Sequence, residues 1–373
     1  MEDNSTIAGT VQKDHKCNTC AAVLEFKPGT TSLVCIYCGA QNEIAASDEK
    51  IEEEDFHEFL SKLQSSSEQV TLNLVKCDAC GAETTFNDKI VSDNCVFCGN
   101  QITIKSGSTS SILKPKSLLP FKIDQKQSFG EFQKWVKSLW FAPNDLKKKA
   151  NSPEKFVGIY IPYWTYDSGT NSTYTGQRGV NYTTTETYTT TENGRSVTRT
   201  RVVTKIRWSP AHGVVKHDFD DVLVLASDTL PKDYTEKLEP WDLENINSFD
   251  EKFLSGFKAE SYKVGLPEGF DRAKIKMDVV IRDLVRKDIG GDHQQIATLN
   301  TRYSNIKFKH LLLPIWLSTF AYNKKVYRFL VNGRTGEVQG ERPYSGMKIF
   351  LFILMILVIL GGIVALIIYF KNK

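Results

Sequence analysis

The chain carries one cysteine pattern twice, as CNTCAAVLEFKPGTTSLVCIYC at residues 17–38 and as CDACGAETTFNDKIVSDNCVFC at residues 77–98. Each copy reads C-x2-C-x14-C-x2-C, and each cysteine of the second copy lies 60 residues after its counterpart. Other pairs keep the same offset, including Lys16/Lys76, Phe26/Phe86 and Gly39/Gly99. The pattern indicates an internal duplication that contains all eight cysteines of the chain.

Four thiolates in two close pairs are the ligands that a tetrahedral zinc ion requires, with sulfur about 2.3 Å from the metal. A unit this short cannot bury a core of its own, so metal binding would supply most of its folding free energy, on the order of 10 kcal/mol. The sequence predicts two zinc ribbons, each holding one structural Zn²⁺ with a closed coordination shell. The predicted ligands are Cys17, Cys20, Cys35 and Cys38 in the first ribbon and Cys77, Cys80, Cys95 and Cys98 in the second.

Two alternatives to zinc are disulfides and redox-active dithiols. The first sixteen residues are polar and lack the apolar segment of a secretory signal, which favours a reducing compartment and disfavours disulfides.

The local charge of the ribbons favours a protein-binding or spacer role over nucleic-acid binding. Residues 76–105 carry three lysines against four acidic residues, and each tetrathiolate zinc centre adds a formal charge of about −2. Neither ribbon has the basic stripe that phosphate binding needs.

The segments that flank the second ribbon are polar. Asp48 to Leu63 predicts an acidic amphipathic helix, which either docks a partner through its phenylalanines or packs on a ribbon. Residues 106–111, SGSTSS, predict a flexible linker.

From Leu119 the composition is that of a packed domain, in which Ser128 is the expected N-cap of an aromatic-rich helix. A Thr-rich strand at 180–190, the turn signature Asn193-Gly194 and a return strand at 196–208 predict a long β-hairpin. One face of this hairpin is basic, so it is either simply solvated or contacts anionic lipid or an acidic partner. Pro267 is expected to begin a long helix that ends at Gly290-Gly291, and the alternation of Ile275, Met277, Val279 and Ile281 gives a strand as the alternative there. The repeated P-x-W within residues 161–164 and 313–316 indicates a second duplication, of one β-rich unit.

Ile349 to Phe370 is a run of 22 residues without a charge, about 33 Å long as a helix and sufficient to cross a bilayer core. The sequence predicts a C-terminal tail anchor. Six lysines and arginines between Lys324 and Lys348 agree with a cytoplasmic location for the bulk of the chain.

The sequence contains no recognisable catalytic constellation. There is no G-x-x-x-x-G-K-[ST] phosphate loop and no G-x-S-x-G, and His57-Glu58 lacks the second histidine of H-E-x-x-H. The stretch DIGGDHQ, with Asp288, Asp292 and His293, is the best place for hidden chemistry or a second metal, although a helix end capped by glycines also explains it. An enzyme would be expected to gather Asp292, His293 and His212 in one polar pocket.

The whole chain resembles the bacterial membrane proteins identified as TFIIB-type zinc-ribbon proteins, some described as similar to the zinc-binding part of the primosomal helicase PriA. The matching stretches are the two cysteine sets, YIPYWTYD at residues 160–167, YTGQRG at 174–179, DIGGDHQ at 288–294, and LLPIW with VNGRTGEVQG between Leu312 and Gly340. For some members the resemblance implies a complex with a small membrane protein that recruits phage-shock-protein-A-like and SPFH-type proteins during envelope stress. Without a phosphate loop, helicase activity does not carry over.

The predicted fold class is multidomain: two tandem four-cysteine zinc ribbons of the small β type, a β-rich α+β domain and one C-terminal transmembrane helix. The expected boundaries are ribbon 1 at 1–45, acidic helix and linker at 46–70, ribbon 2 at 71–105, flexible linker at 106–118, α+β domain at 119–345 and anchor at 346–373.

The predicted function is a non-catalytic adaptor in the cell membrane that recruits cytoplasmic and membrane proteins, with two Zn²⁺ ions as cofactors and contact with the bilayer through Ile349–Phe370. Neither nucleic acid nor a small-molecule substrate is an expected partner. The alternatives are a membrane-tethered nucleic-acid-binding factor and an enzyme in the α+β domain.

Overall fold

The computed structural model describes residues 15–45, 51–63, 69–85, 92–103, 107–113, 115–144, 156–192, 194–322 and 325–371. Two small cysteine-bearing units, a β-rich body and one apolar C-terminal helix are present. Both cysteine-bearing units pack directly on the body, because their buried side chains belong to hydrophobic clusters that also contain body residues.

The first cysteine-bearing unit is a three-stranded antiparallel sheet of β1 (Leu24–Phe26), β2 (Ser32–Cys35) and β3 (Gln41–Glu43). The ring of Phe26 contacts that of Phe253 edge to face at 5.1 Å between centroids. Backbone hydrogen bonds join the same surfaces, from Phe26 N to Ser255 O at 2.9 Å and from Gly29 N to Phe121 O at 2.9 Å. Apolar burial and backbone pairing together fix this unit against the body.

The acidic segment forms a short strand and a short helix instead of one long helix. Strand β4 (Glu54–Asp55) pairs with residues 307–308, and helix α1 (Phe56–Leu63) follows it. The helix begins late because Asp55 Oδ1 accepts hydrogen bonds from the backbone N–H groups of residues 57 and 58, at 2.9 and 2.8 Å. Residues 48–50 of the predicted helix lie outside the described ranges.

The phenylalanines of α1 are buried, so the alternative in which they are exposed and dock a partner is wrong. The ring of Phe56 lies 5.2 Å from Phe270, and that of Phe59 lies 5.0 Å from Phe308. The other alternative, a helix packed on a ribbon, is also wrong, because the buried residues of α1 belong to a hydrophobic cluster of body residues.

The second cysteine-bearing unit includes a strand that the sequence did not predict. It contains β5 (Gln69–Lys76), β6 (Glu83–Thr85), β7 (Ser92–Asn94), β8 (Gln101–Thr103) and β9 (Gly107–Leu113). Strand β9 pairs antiparallel with β5 from Gln69↔Leu113 to Val75↔Gly107. The predicted flexible linker at 106–118 is therefore wrong over residues 107–113. The backbone N–H and C=O groups of β9 form hydrogen bonds with the open edge of β5, whereas in a flexible linker they would bond to water.

The body sheet is built on three very long strands. They are β11 (Phe156–Glu192), β12 (Arg195–Leu225) and β15 (His293–Tyr322), and β11 lies between the other two in antiparallel register. Short strands extend or cover the sheet: β10 (Ser117–Leu118), β13 (Asn247–Ser248), β14 (Lys258–Ala259), β16 (Lys325–Asn332) and β17 (Val338–Gly340).

Beyond Gly179, where the pairing with β15 ends at His293, β11 and β12 continue as a two-stranded hairpin. The hairpin closes with Glu192 opposite Arg195, and Gly194 has a φ of +78°. Asn193 of the predicted turn lies outside the described residues.

Helices cover the body sheet. Helix α2 (Gln125–Ser138) begins at a capping box of Asp124 and Gln127, so the expected N-cap Ser128 is instead buried inside the helix. Helix α3 (Lys232–Thr235) is short, and helix α4 (Leu266–Ile289) ends at Gly290 with a φ of +65°, close to the predicted bounds. Trp164 Nε1 and Tyr166 Oη donate to the carbonyls of Val264 and Leu266, which fixes the start of α4 on the sheet.

The two P-x-W motifs lie on the neighbouring strands β11 and β15 and extend in opposite directions from the pair Ile161 and Leu313. Ile161 pairs with Leu313, so a local two-fold relation between antiparallel strands places residues 161–164 and 313–316 in equivalent positions. Both segments are buried at the centre of the body.

Helix α5 (Gly346–Lys371) follows the body and carries no charge between Lys348 and Lys371. Its length and composition are those of a helix that can span a membrane, and beyond its first turns its side chains are not covered by the rest of the described chain.

Candidate metal centres

Four tight turns, which we call knuckles, position the cysteines. In each, the first cysteine N–H donates to the carbonyl of the residue five positions later, and the residue after the second cysteine donates back to the first cysteine's carbonyl. That last residue has a left-handed φ in all four knuckles: +59° at Ala21, +74° at Gly39, +72° at Gly81 and +77° at Gly99. The turn directs two thiols to the same side, so the C-x2-C spacing places two sulfur atoms where they can bind the same metal ion.

The knuckles bring the predicted ligands together as two groups of four. In the first group the Sγ atoms of Cys17 and Cys38 are 3.5 Å apart, as are those of Cys20 and Cys35. In the second, the Cys77–Cys98 and Cys80–Cys95 separations are both 3.6 Å. A tetrahedral ion with bonds of about 2.3 Å holds its sulfurs about 3.8 Å apart, whereas a disulfide bond is about 2.05 Å long. Both groups are therefore compatible with a structural metal ion.

Backbone donors favour the thiolate form in the first group. The N–H groups of Cys20 and Thr19 lower the pKa of Cys17 to about 6, and the N–H of Thr19 lies 3.4 Å from its sulfur. The N–H groups of Cys38 and Tyr37 likewise lower the pKa of Cys35, against the effect of burial. The pKa values of Cys20 and Cys38 are raised instead, that of Cys38 to about 12, because hydrogen bonds with the neighbouring cysteine side chains outweigh their own backbone donors. Metal ligation requires thiolates, so the backbone favours the ligating form at the first cysteine of each knuckle only.

The two sites differ in what surrounds their second knuckle. Tyr37 is 78% exposed beside the first site, whereas Phe97, its counterpart 60 residues later, is fully buried. Ile36 is also exposed, while its counterpart Val96 packs against the body. Arg328 Nε donates to the carbonyl of Phe97 at 2.9 Å, which fixes the second knuckle on β16.

The residues considered for hidden chemistry do not form one site. Asp288 Oδ2 accepts a hydrogen bond from Tyr174 Oη. Asp292 Oδ2 accepts the backbone N–H of Asn181 at 2.7 Å, and His293 Nε2 lies 3.0 Å from Asn181 Oδ1. His212 lies opposite Thr175, whereas His293 lies opposite Gly179 on the other side of β11. Four residues of strand separate those positions, about 13 Å, so His212 does not join the other two.

A group of carboxylates that the sequence reasoning missed brings together Glu53, which precedes β4, Asp167 of β11 and Asp220 of β12. Their oxygen atoms lie within 4.8 Å of one another. Burial, together with hydrogen bonding to Glu53, raises the pKa of Asp167 to about 7. The ammonium of Lys309 lies 3.3 Å from Glu53 and 2.7 Å from Asp221, which compensates part of the charge. Because these residues come from distant segments, no local motif could have revealed the group.

Fold and site together define a class: a β-rich protein that carries two four-cysteine sites and one apolar C-terminal helix. An uncharacterized protein of Bacillus subtilis strain 168, YdjG, is 27% identical to this chain over 340 residues, which cover 90% of this chain and 91% of YdjG. No family model matches the chain, and no solved structure matches it.

Proposed function

We propose that the chain is a non-catalytic zinc-ribbon adaptor, anchored in the cell membrane, that recruits protein partners to the cytoplasmic face. Two Zn²⁺ ions would hold the ribbons in shape, and α5 would hold the body at the bilayer. Recruitment would act by raising the local concentration of partners at the membrane.

Zinc is the metal that this ligand chemistry favours. Four thiolates close a tetrahedral shell and leave no position for water or substrate, as in structural zinc sites. The separations of 3.5 and 3.6 Å between sulfurs support this assignment.

The observation that carries the adaptor proposal is the contrast between the two second knuckles. On the second ribbon this motif, Val96 and Phe97, has the body of the chain as its partner surface. There the ring of Phe97 is buried, and Arg328 donates a hydrogen bond to the Phe97 carbonyl. Ile36 and Tyr37 present the same motif to solvent on the first ribbon. A partner with an apolar cleft and a nearby hydrogen-bond donor would complete that interface, and tyrosine is among the residues that most often dominate binding energy.

The resemblance to TFIIB-type zinc-ribbon membrane proteins supports an adaptor role in envelope stress. The partners would be membrane proteins and the cytoplasmic proteins that they recruit. The basic residues before α5 support a cytoplasmic body under the positive-inside rule.

A crosslinked pull-down from solubilised membranes tests the proposal, with the full chain compared against Ile36→Ser/Tyr37→Ser. A discrete set of proteins lost in the variant is the expected result. Ile275→Ser/Val279→Ser is the matched control, since both side chains are exposed aliphatics on α4, away from the ribbons. Equal recovery from the knuckle variant and the intact chain would remove the first ribbon as the docking surface.

A membrane-tethered nucleic-acid-binding factor is the second candidate, because the hairpin presents a basic face interleaved with tyrosines. Arg201 lies over the ring of Tyr188 at 5.6 Å, and Arg207 lies over that of Tyr182 at 4.9 Å. Basic residues and exposed aromatics are typical of single-stranded nucleic-acid binding. Nuclease-sensitive, salt-dependent recovery of RNA or DNA in the same pull-down would favour this candidate over the adaptor.

A further inference from the structure

A groove of about 480 Å³ lies where the C-terminal turn of α2 meets the first turns of α5. It combines two lysines with an indole and the apolar side chains of α5. The residues that form it include Lys137, Trp140, Lys348, Leu351, Phe352 and Met355. We propose that this groove binds one anionic phospholipid, with the phosphate at the two lysines and an acyl chain along α5.

The position of the groove along α5 matches the layers of a bilayer. Lys348 directly precedes the uncharged run that begins at Ile349. Leu351 and Met355 follow Lys348 by three and seven residues, which are rises of about 4.5 and 10.5 Å along a helix. With α5 in a membrane, the ammonium groups lie at headgroup level while the apolar wall of the groove enters the hydrocarbon.

Several contacts hold the two walls of the groove in place. Lys348 Nζ donates to the carbonyl of Ala142 at 2.7 Å and to Asn144 Oδ1 at 2.8 Å. The Phe141 and Phe352 rings meet edge to face with centroids 5.3 Å apart, and Ser345 N donates to Phe141 O at 2.8 Å. The groove is thus formed by the folded chain itself.

The exposed indole and the charge of the groove indicate the kind of ligand. Trp140 is 74% exposed, and tryptophan is enriched where an apolar core meets the headgroups. Among the described residues that line the groove, none is acidic. Two cations beside an apolar wall complement a molecule with one phosphate and a hydrocarbon chain, and a net negative lipid is favoured over a zwitterionic one.

The inference rests on the proposed membrane anchor, so one experiment must separate the two. The full chain is reconstituted in phosphatidylcholine vesicles that contain one fifth phosphatidylglycerol, with bromine on the acyl chains of either lipid. Subtracting the fluorescence of Trp140→Phe isolates the signal of Trp140 from the other tryptophans. Co-flotation with the vesicles, measured first, tests the anchor alone.

Brominated phosphatidylglycerol is expected to quench Trp140 more strongly than brominated phosphatidylcholine, in line with a roughly thirtyfold binding preference, because the two lysines at headgroup level together add roughly 2 kcal/mol of attraction. Lys137→Gln should abolish most of the preference, and Lys348→Gln should do the same. Lys134→Gln is the matched control, because Lys134 lies on the same helix but outside the groove and pairs with Glu131 at 2.7 Å.

Three results would overturn the inference while the chain still floats with the vesicles. Equal quenching by the two brominated lipids would show that the groove has no preference. An equal loss of preference in Lys134→Gln would assign it to diffuse surface charge. Relief of quenching by millimolar glycerophosphate or inorganic phosphate would show that the lysines bind a soluble anion. Failure to float would instead remove the membrane anchor.

Discussion

Ala21 holds the same left-handed backbone conformation as Gly81, its counterpart 60 residues later, with φ values of +59° and +72°. The other two knuckles also have glycine at this position. An alanine in this conformation brings its Cβ close to the following carbonyl, at a cost of about 1–2 kcal/mol. The duplicated ribbons therefore differ in backbone strain at one residue.

Ala21→Gly is expected to stabilise the first ribbon by about 1 kcal/mol, because glycine adopts this conformation without strain. Competition with a metal chelator, site by site, measures the change as tighter metal retention. Gly39→Ala is the matched control and should weaken retention by a similar amount, since a Cβ there meets nothing within 4 Å and only the backbone conformation changes. Weaker retention in Ala21→Gly would contradict the strain argument.

The sequence was sufficient to predict the ligand sets, since spacing and duplication are local features of the chain. The long hairpin and α4 also follow local signals, a turn motif in one case and a Pro start with a Gly-Gly end in the other. Packing between distant segments was not predictable in this way. Phe97 is buried because its knuckle packs on body residues such as Leu330, more than 200 residues later, and the C-x2-C pattern alone does not show that Tyr37 at the same place is exposed.

The same limit explains the two errors in the flanking segments. SGSTSS has the composition of a linker, but pairing with the free edge of β5 makes its residues 107–111 part of a strand. The helical pattern places Phe56 on an apolar face that a partner could cover, yet Phe56 contacts Phe270 on α4, more than 200 residues away. Sequence periodicity identifies an apolar face but not the surface that covers it.

Under the proposal that each four-cysteine site holds one zinc ion, Cys77→Ser/Cys80→Ser should reduce the bound zinc from two ions to one per chain and lower the melting temperature of the body as well. The reason is that Val75 and Phe97 share a hydrophobic cluster with Leu119 and Leu330 of the body. Elemental analysis gives the metal content, and circular dichroism in detergent gives the unfolding transition. A zinc content that stays at two, or a body that melts unchanged, would contradict this prediction.

Phe56→Ala should lower the free energy of unfolding by about 3 kcal/mol, the usual cost of removing a buried phenylalanine ring. Chemical denaturation of the full chain in detergent measures the difference. Glu58→Ala on the same helix is the control and should change stability by about 0.5 kcal/mol or less, because it removes only an exposed ion pair with Lys62. If Phe56→Ala left stability intact but removed partners, α1 would be a docking helix after all.

Glu260 gives the body a pH dependence of defined sign. Its side chain is buried, it accepts a hydrogen bond from Ser227 Oγ at 2.7 Å, and burial raises its pKa to about 7. In the unfolded chain a glutamate has a pKa of about 4.3. Between those values the folded state holds a proton that the unfolded state has released, so stability falls as pH rises from about 4.3 to 7 and then levels.

Glu260→Gln should remove this loss, because glutamine carries no charge at any pH and its oxygen still accepts from Ser227. The variant should therefore gain stability relative to the intact chain as pH rises from 5 to 8, by about 3 kcal/mol at most. Thermal melts of both proteins across this pH range give the difference in stability between them. The titration of the cysteines is common to both proteins and therefore cancels. Glu244→Gln, which alters an exposed carboxyl, is the control and should give a flat difference. If the stability difference between Glu260→Gln and the intact chain also stayed constant with pH, water or a neighbouring cation would be stabilising the buried carboxylate. If that difference shrank as pH rose, folding would lower the pKa of Glu260 and not raise it.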